Sequence, residues 1–320
     1  MGRLECADLS GPIIEFSGAV KRYGDKKIGP INFSVNKGEI FGFIGPNGSG
    51  KTTCIRMLLG LTRPSAGVVR LKGEDPIRRH VQALTAVGYS PELPNMQTFL
   101  TPREILALAA AEAGLEGAKE EANRVLEEVG IVEYGDKKVG KLSKGMVQRL
   151  SVAQAMVGRP DVMVLDEPMI GLDPAGTAHL REVFREYARS GGTILMSSHM
   201  MSEVEDICSV VGLIHSGKLL FNGTTKEMIR QMLGGTEVRV EAKGIAAGAI
   251  DAVRNLEGVI KVTETQGGLE VEVSGEIEAR PAIAKVLLDS GAELLKLGEG
   301  ERMLEKAYVV ALRGGGDKSD

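Results

Sequence analysis

Two kinds of apolar pattern run along this chain, and the change from one to the other divides it. Val162-Met163-Val164-Leu165 is a continuous apolar run, Thr193-Ile194-Leu195-Met196 repeats it, and Ile40-Phe41-Gly42-Phe43-Ile44 is a third. Such runs suit strands buried on both faces, as in a parallel sheet covered by helices. Past Gly234-Gly235 the pattern becomes strict alternation, in Glu237-Val238-Arg239-Val240-Glu241 and Leu269-Glu270-Val271-Glu272-Val273, which is how a strand with one wet face reads. The change predicts a large α/β domain over residues 13–232 and a small α+β domain over 236–312.

Residues 13–20 and 31–36 read as short strands, and Lys37-Gly38-Glu39 turns the chain into the run at Ile40. A Gly-rich loop follows that run, and Thr52 to Gly60 have helical spacing. The stretch 101–129 is rich in Ala, Leu and Glu, and Ser143 to Val157 forms a second strong helix, capped by Ser143 and closed near Gly158 and Pro160. A helical subdomain over about 93–157 is expected. The small domain reads strand, helix (about 246–256), strand, strand, helix (about 279–290), strand (Leu294 to Leu297), the order of a ferredoxin-like split βαβ unit. The tail 313–320 is expected to be disordered.

Composition narrows the class. A length of 320 residues suits one large domain plus a small one, and 43% hydrophobic with 26% charged residues is ordinary globular usage. The net charge of -4 lacks the basic excess of a nucleic-acid binder, so no nucleic-acid partner is expected. Cys6, Cys54 and Cys208 are odd in number and far apart, which fits neither a disulfide framework nor a zinc site and favours a reducing, cytoplasmic setting. No stretch approaches the roughly 18 uncharged apolar residues needed to span a bilayer.

The first chemical feature is Gly45-Pro46-Asn47-Gly48-Ser49-Gly50-Lys51-Thr52. Gly45, Gly48 and Gly50 let successive backbone N–H groups approach a phosphate chain, and the helix that follows adds free N–H groups and its dipole. Lys51 reaches the β and γ phosphates, Thr52 ligates Mg²⁺, and Thr53 completes the stretch. By itself such a loop suits kinases, GTPases or helicases equally. The second feature is Asp166-Glu167, immediately after a buried strand, where residues project into a ligand crevice. Strand alternation suggests one carboxylate for Mg²⁺, Asp166, and one as general base, Glu167. His80, His179 and His215 are isolated and read as surface or satisfied core histidines, Cys54 as packing, and Glu112 to Glu128 as a solvated helical face.

Asp166-Glu167-Pro168, Gly171-Leu172-Asp173-Pro174, Ser197-Ser198-His199 and Leu142-Ser143-Lys144-Gly145-Met146-Val147-Gln148-Arg149 together resemble the nucleotide-binding subunit of ABC (ATP-binding cassette) transporters, over roughly residues 13–232. The resemblance implies an ATP-binding and ATP-hydrolysing cassette with a mixed sheet core. It implies that Tyr23 stacks on adenine, that His199 contacts the γ-phosphate and that Asp173 lies across a dimer interface. Ser143 and Gly145 then bind the γ-phosphate held by a second ATPase subunit, in keeping with a Ser-capped helix N-terminus. Tyr89-Ser90-Pro91-Glu92 puts Glu92 where many members carry Gln, and Lys144 and Met146 replace Gly and Gln. These variants, the extra C-terminal domain and Arg302 to Tyr308 look like the ABC-2 type exporter branch, which implies a separate integral membrane permease and a peripheral place on the inner face of the cell membrane. Glu92 is a candidate sensor of Mg²⁺ or water. A soluble cassette ATPase that remodels ribosomes, DNA or a metal-cluster scaffold is the alternative, weakened by the lack of a second cassette, a coiled coil or a zinc module.

Overall fold

The computed structural model describes residues 11–274, 278–300 and 303–315. In chain order the elements are β1 (Ile14–Tyr23), β2 (Lys26–Val35), β3 (Ile40–Ile44), α1 (Lys51–Leu58), β4 (Ala66–Leu71), α2 (His80–Leu84), β5 (Val87–Ser90), α3 (Pro102–Glu112), α4 (Ala118–Glu128), α5 (Lys144–Met156), β6 (Val162–Asp166), α6 (Pro174–Arg189), β7 (Thr193–Ser198), α7 (Met201–Ile207), β8 (Val210–His215) and β9 (Lys218–Thr224). They continue with α8 (Thr225–Leu233), β10 (Gly235–Lys243), α9 (Ala247–Arg254), β11 (Val259–Thr265), β12 (Gly268–Ser274), α10 (Arg280–Asp289), β13 (Glu293–Glu299) and α11 (Met303–Gly315). Two compact units divide after Asn222, ahead of the boundary expected at 232. The cause is α8, which packs with α11 and β10 and so belongs to the second unit.

In the first unit the six-stranded sheet has the order β5-β6-β7-β3-β8-β9, and β5, β6, β7, β3 and β8 run parallel. Every residue of β3, β6 and β7 is buried, as continuous apolar runs require. A three-stranded antiparallel sheet, β2-β1-β4, packs beside it. The seam between the two sheets is aromatic. Phe33 of β2 stacks on Phe16 of β1 and on Phe41 of β3, with ring centroids 4.6 and 4.7 Å apart, each stack contributing about 1 kcal/mol beyond its buried area.

The stretch read as helical at 101–129 is two helices, because Gly114 and Gly117 adopt left-handed backbone between α3 and α4. The second unit is an antiparallel sheet in the order β11-β12-β10-β13 with α9 and α10 on its apolar face, the split βαβ arrangement. α11 runs through Gly315, so 313–315 are helical where a disordered tail was expected, while 316–320 lie outside the described residues, as does Cys6. Cys54 and Cys208 are buried free thiols, and burial pushes that of Cys54 up to about 12, which leaves it inert. His80 and His179 each bond a backbone carbonyl, as expected of bland histidines, whereas the buried Nδ1 of His215 has no partner among the described residues.

Candidate active site

β3 delivers the chain into the Gly-rich loop, and α1 starts at Lys51 with Gly50 before it in left-handed backbone at φ 119°. A side chain there would be strained. At Gly45 the constraint is space, since a Cβ would sit 2.1 Å from the carbonyl oxygen of Ile214 in β8. Asn47 and Gly48 are exposed at the tip, Pro46, Gly50, Thr52 and Thr53 are half-buried, and Lys26, just past the hairpin turn that follows Tyr23, donates to the carbonyl of Gly48 at 3.3 Å. Ser49 is buried, and its Oγ has no hydrogen-bond partner among the described residues. A buried hydroxyl without a partner is costly unless a ligand completes it. That hydroxyl, the free N–H groups opening α1 and Lys51 together fit a phosphate chain.

Three expected residues meet at the sheet's carboxyl edge. Lys51 Nζ donates to the carbonyl of Gly45 at 2.7 Å and lies 3.3 Å from Glu167 Oε1. The other oxygen of Glu167 is 2.8 Å from His199 Nδ1 and accepts from the His199 backbone N–H at 3.3 Å. An ionised carboxylate can only accept, so it fixes the proton on Nδ1 and leaves Nε2 outside this pair. One inference from strand alternation needs correction. β6 ends at Asp166, and Glu167 turns out of it in left-handed backbone at φ 52°. The direction of its carboxylate therefore comes from that turn and not from the pleat. Such backbone costs a non-glycine residue on the order of 1–2 kcal/mol and persists only where surrounding bonds over-determine it. Here the Glu167 N–H donates to Ser197 Oγ at 2.9 Å, its carbonyl accepts from buried Gln148 at 3.4 Å, and both carboxylate oxygens are engaged.

Other expected residues lie elsewhere. Ser143 caps α5, accepting from the Met146 N–H at 3.3 Å, and lines a cleft of about 470 Å³ with Gly145, Arg149 and Asp173. No residue of the loop 45–52 lines that cleft. Asp173 caps α6 and pairs with Arg149 at 3.5 Å. Tyr23 is half exposed at the end of β1 with Lys21 over its ring. Glu92 follows β5, the strand next to β6; burial first, then the charge of Asp166 and least that of Glu92 raise the pKa of Tyr89, against Arg56. Among the described residues no three His, Cys, Asp or Glu side chains form a metal cage. Thr52 and Asp166 offer the hard oxygens that suit Mg²⁺, whose remaining ligands are normally phosphate and water.

Ser197 and Gln148 stand out in the sequence only within motifs and with no role of their own, and Glu203, which accepts from Ser198 at 2.8 Å, does not stand out there. The available signal was two adjacent hydroxyls, Ser197-Ser198, ending an otherwise apolar strand.

Similar proteins agree with this geometry. Residues 28–170 match the family described as ABC transporter. The bacitracin transport ATP-binding protein BcrA of Bacillus licheniformis is 34% identical over 306 residues, covering 95% of this chain and 98% of its own length, so the likeness takes in both units. The linearmycin resistance ATP-binding protein LnrL of Bacillus subtilis (strain 168) is 32% identical over 90% of this chain and 94% of its own. A solved ATP-binding subunit of an ABC transporter superposes with a TM-score of 0.64 at 30% identity, covering 68% of this chain and 92% of its own. A phosphate loop, the Lys51–Glu167–His199 cluster beside it and relatives matched along nearly their whole length leave one assignment: the chain belongs to the ABC transporter family, as an ATP-binding cassette that hydrolyses ATP to drive transport.

Proposed function

We propose that this cassette works as a dimer, most simply of two copies, that ATP closes and hydrolysis reopens, and that the cycle drives export through a separate integral membrane permease. The observation that carries the dimer is the division of expected ATP contacts between two places in one chain. Lys51, Glu167 and His199 converge at the loop, while Ser143, Gly145 and Asp173 line a cleft that no loop residue shares. Two chains facing each other complete two sites, each loop answered by the other chain's α5.

In this reading Tyr23 stacks on adenine, and the loop Gly45 to Thr53 with Lys51 holds the phosphates. ATP draws Lys51 from Glu167 to the phosphates, which frees one carboxylate oxygen. Glu167 then takes the proton of the attacking water, and His199 holds the terminal phosphate. Thr52 and Asp166 would hold Mg²⁺, with Glu92 as a sensor of the ion or of water, and the ion when bound would neutralise charge on the phosphate oxygens. Relatives named for bacitracin transport and for linearmycin resistance support export as the direction here. Among the described residues no helix is long and apolar enough to cross a membrane, consistent with a peripheral subunit on the inner face of the cell membrane docked to its permease.

Glu167→Gln tests both the base and the dimer. It should bind ATP, accumulate an ATP-bound dimer in size-exclusion chromatography with light scattering, and lose at least about 100-fold in turnover. Normal turnover removes Glu167 as base, and a monomer at saturating ATP removes the dimer.

A further inference from the structure

We infer that Ser197 is a positioning residue that locks Asp166 and Glu167 into one arrangement through a single hydroxyl; the inference rests on reading Asp166 as the metal carboxylate and Glu167 as the base. In the parallel pair β6–β7, Ser197 stands opposite Asp166, and neighbouring strands lie about 4.8 Å apart. A short hydroxyl side chain at that register spans the gap. Ser197 Oγ donates to Asp166 Oδ1 at 2.5 Å and accepts from the Glu167 backbone N–H at 2.9 Å.

The polarity of this relay is fixed by chemistry. A backbone N–H only donates, so Oγ must accept from Glu167, and the one hydroxyl proton is committed to the Asp166 carboxylate. Water cannot substitute easily, because Asp166, Glu167 and Ser197 are 1%, 5% and 0% exposed. The neighbouring hydroxyl cannot substitute either, since Ser198 donates to Glu203 at 2.8 Å and accepts from the Met200 N–H at 2.9 Å. The N–H that Ser197 holds belongs to the residue in left-handed backbone. Releasing it would let the turn carrying the Glu167 carboxylate relax, and would at the same time free the Asp166 carboxylate to rotate. Groups that orient a metal-binding carboxylate in this way usually alter metal affinity about 10-fold to 100-fold when removed.

The test uses the full-length protein with Ser197→Ala, Ser197→Thr and Asp166→Asn, each measured below its melting temperature. Mn²⁺ is titrated in the presence of ATP and followed by electron paramagnetic resonance, and ATP affinity in EDTA is measured by calorimetry. Ser197→Ala is expected to keep its ATP affinity in EDTA, to weaken Mn²⁺ binding about 10-fold or more, and to slow turnover. Ser197→Thr should recover both, and if its added methyl lowers the melting temperature, the Ala variant decides alone. Loss of ATP affinity in EDTA equal to the loss of Mn²⁺ affinity would reveal a general packing defect and overturn the proposal. Parental Mn²⁺ affinity in Ser197→Ala beside weakened binding in Asp166→Asn overturns the lock and leaves Asp166 as the metal residue. Parental affinity in both variants removes the metal reading and the lock together.

Discussion

Lys51 Nζ and Glu167 Oε1 lie 3.3 Å apart with both side chains 6% exposed, so the proposed phosphate contact and the proposed base hold each other. Removing one member of a buried pair costs more than the pair itself contributes, because the survivor stays buried and charged. Lys51→Ala should therefore do two things at once. ATP affinity should fall about 30-fold or more, matching roughly 2 kcal/mol for charge-assisted bonds to phosphate. The melting temperature should fall as well, through the stranded Glu167. The double variant Lys51→Ala with Glu167→Gln should recover stability but not affinity, as read by calorimetry and thermal melts. Unchanged ATP affinity in Lys51→Ala would exclude it from the phosphate site.

Arg124 ties the helical subdomain together at the far end of α5. Its guanidinium forks onto Glu121 at 2.6 and 2.8 Å, reaches Glu128 and donates to the Met156 carbonyl at 3.3 Å. Glu121 also accepts from the Gly158 N–H at 2.7 Å, and these bonds, Arg124's first, hold its carboxyl below the usual range. Because the groups are only partly buried, Arg124→Ala should cost about 1–2 kcal/mol, between the surface and buried limits. A lowered folded pKa means this contribution is present above the ordinary carboxylate value and lost as pH falls through the lowered one. The wild-type advantage in denaturant melts should thus shrink on acidification; an advantage independent of pH would mean that packing of the arginine stem, not its charge, is responsible.

Under the proposed dimer, Ser143 is the residue that separates binding within one chain from catalysis by two. It caps α5 and lines a cleft free of loop residues. Ser143→Ala should keep ATP affinity of the single chain within about twofold while turnover falls about 10-fold or more, with helix stability lowered by about 1 kcal/mol. Turnover at the parental rate would place the second wall of the nucleotide site elsewhere.

The elements of the cassette were legible because buried parallel strands and capped helices leave local marks, as at Val162 to Leu165 and Ser143. What escaped was decided across the chain. That α8 belongs with α11, some seventy residues on, has no local mark. The turn at Glu167 follows from bonds to Ser197, Gln148, Lys51 and His199, and a strand pattern alone extends through it. Candidate residues with their own chemistry could be picked out from the sequence, whereas the serine and glutamine bonded to the Glu167 turn look like ordinary polar residues until their register is known.

Glu203 supplies a pH test of the same neighbourhood. It is 7% exposed, accepts from Ser198 Oγ at 2.8 Å, and is held above the ordinary carboxyl value of 4.5 mainly by burial. The charge of Glu167 raises it further, while the Ser198 bond, His199 and Arg181 pull the other way. A folded pKa above the unfolded one means the native state binds the extra proton, so the contribution to stability is complete below 4.5 and is lost as pH rises through the raised value. Glu203→Gln keeps the acceptor for Ser198 without the buried charge. Its melting temperature should be close to that of the wild type near the acid end and should exceed it increasingly toward pH 8, where the wild type must either bury an anion or hold a proton against the solvent. A variant that instead loses ground to the wild type as pH rises would mean the anion of Glu203 is the favoured form, stabilised by Arg181 and the turn at Met200.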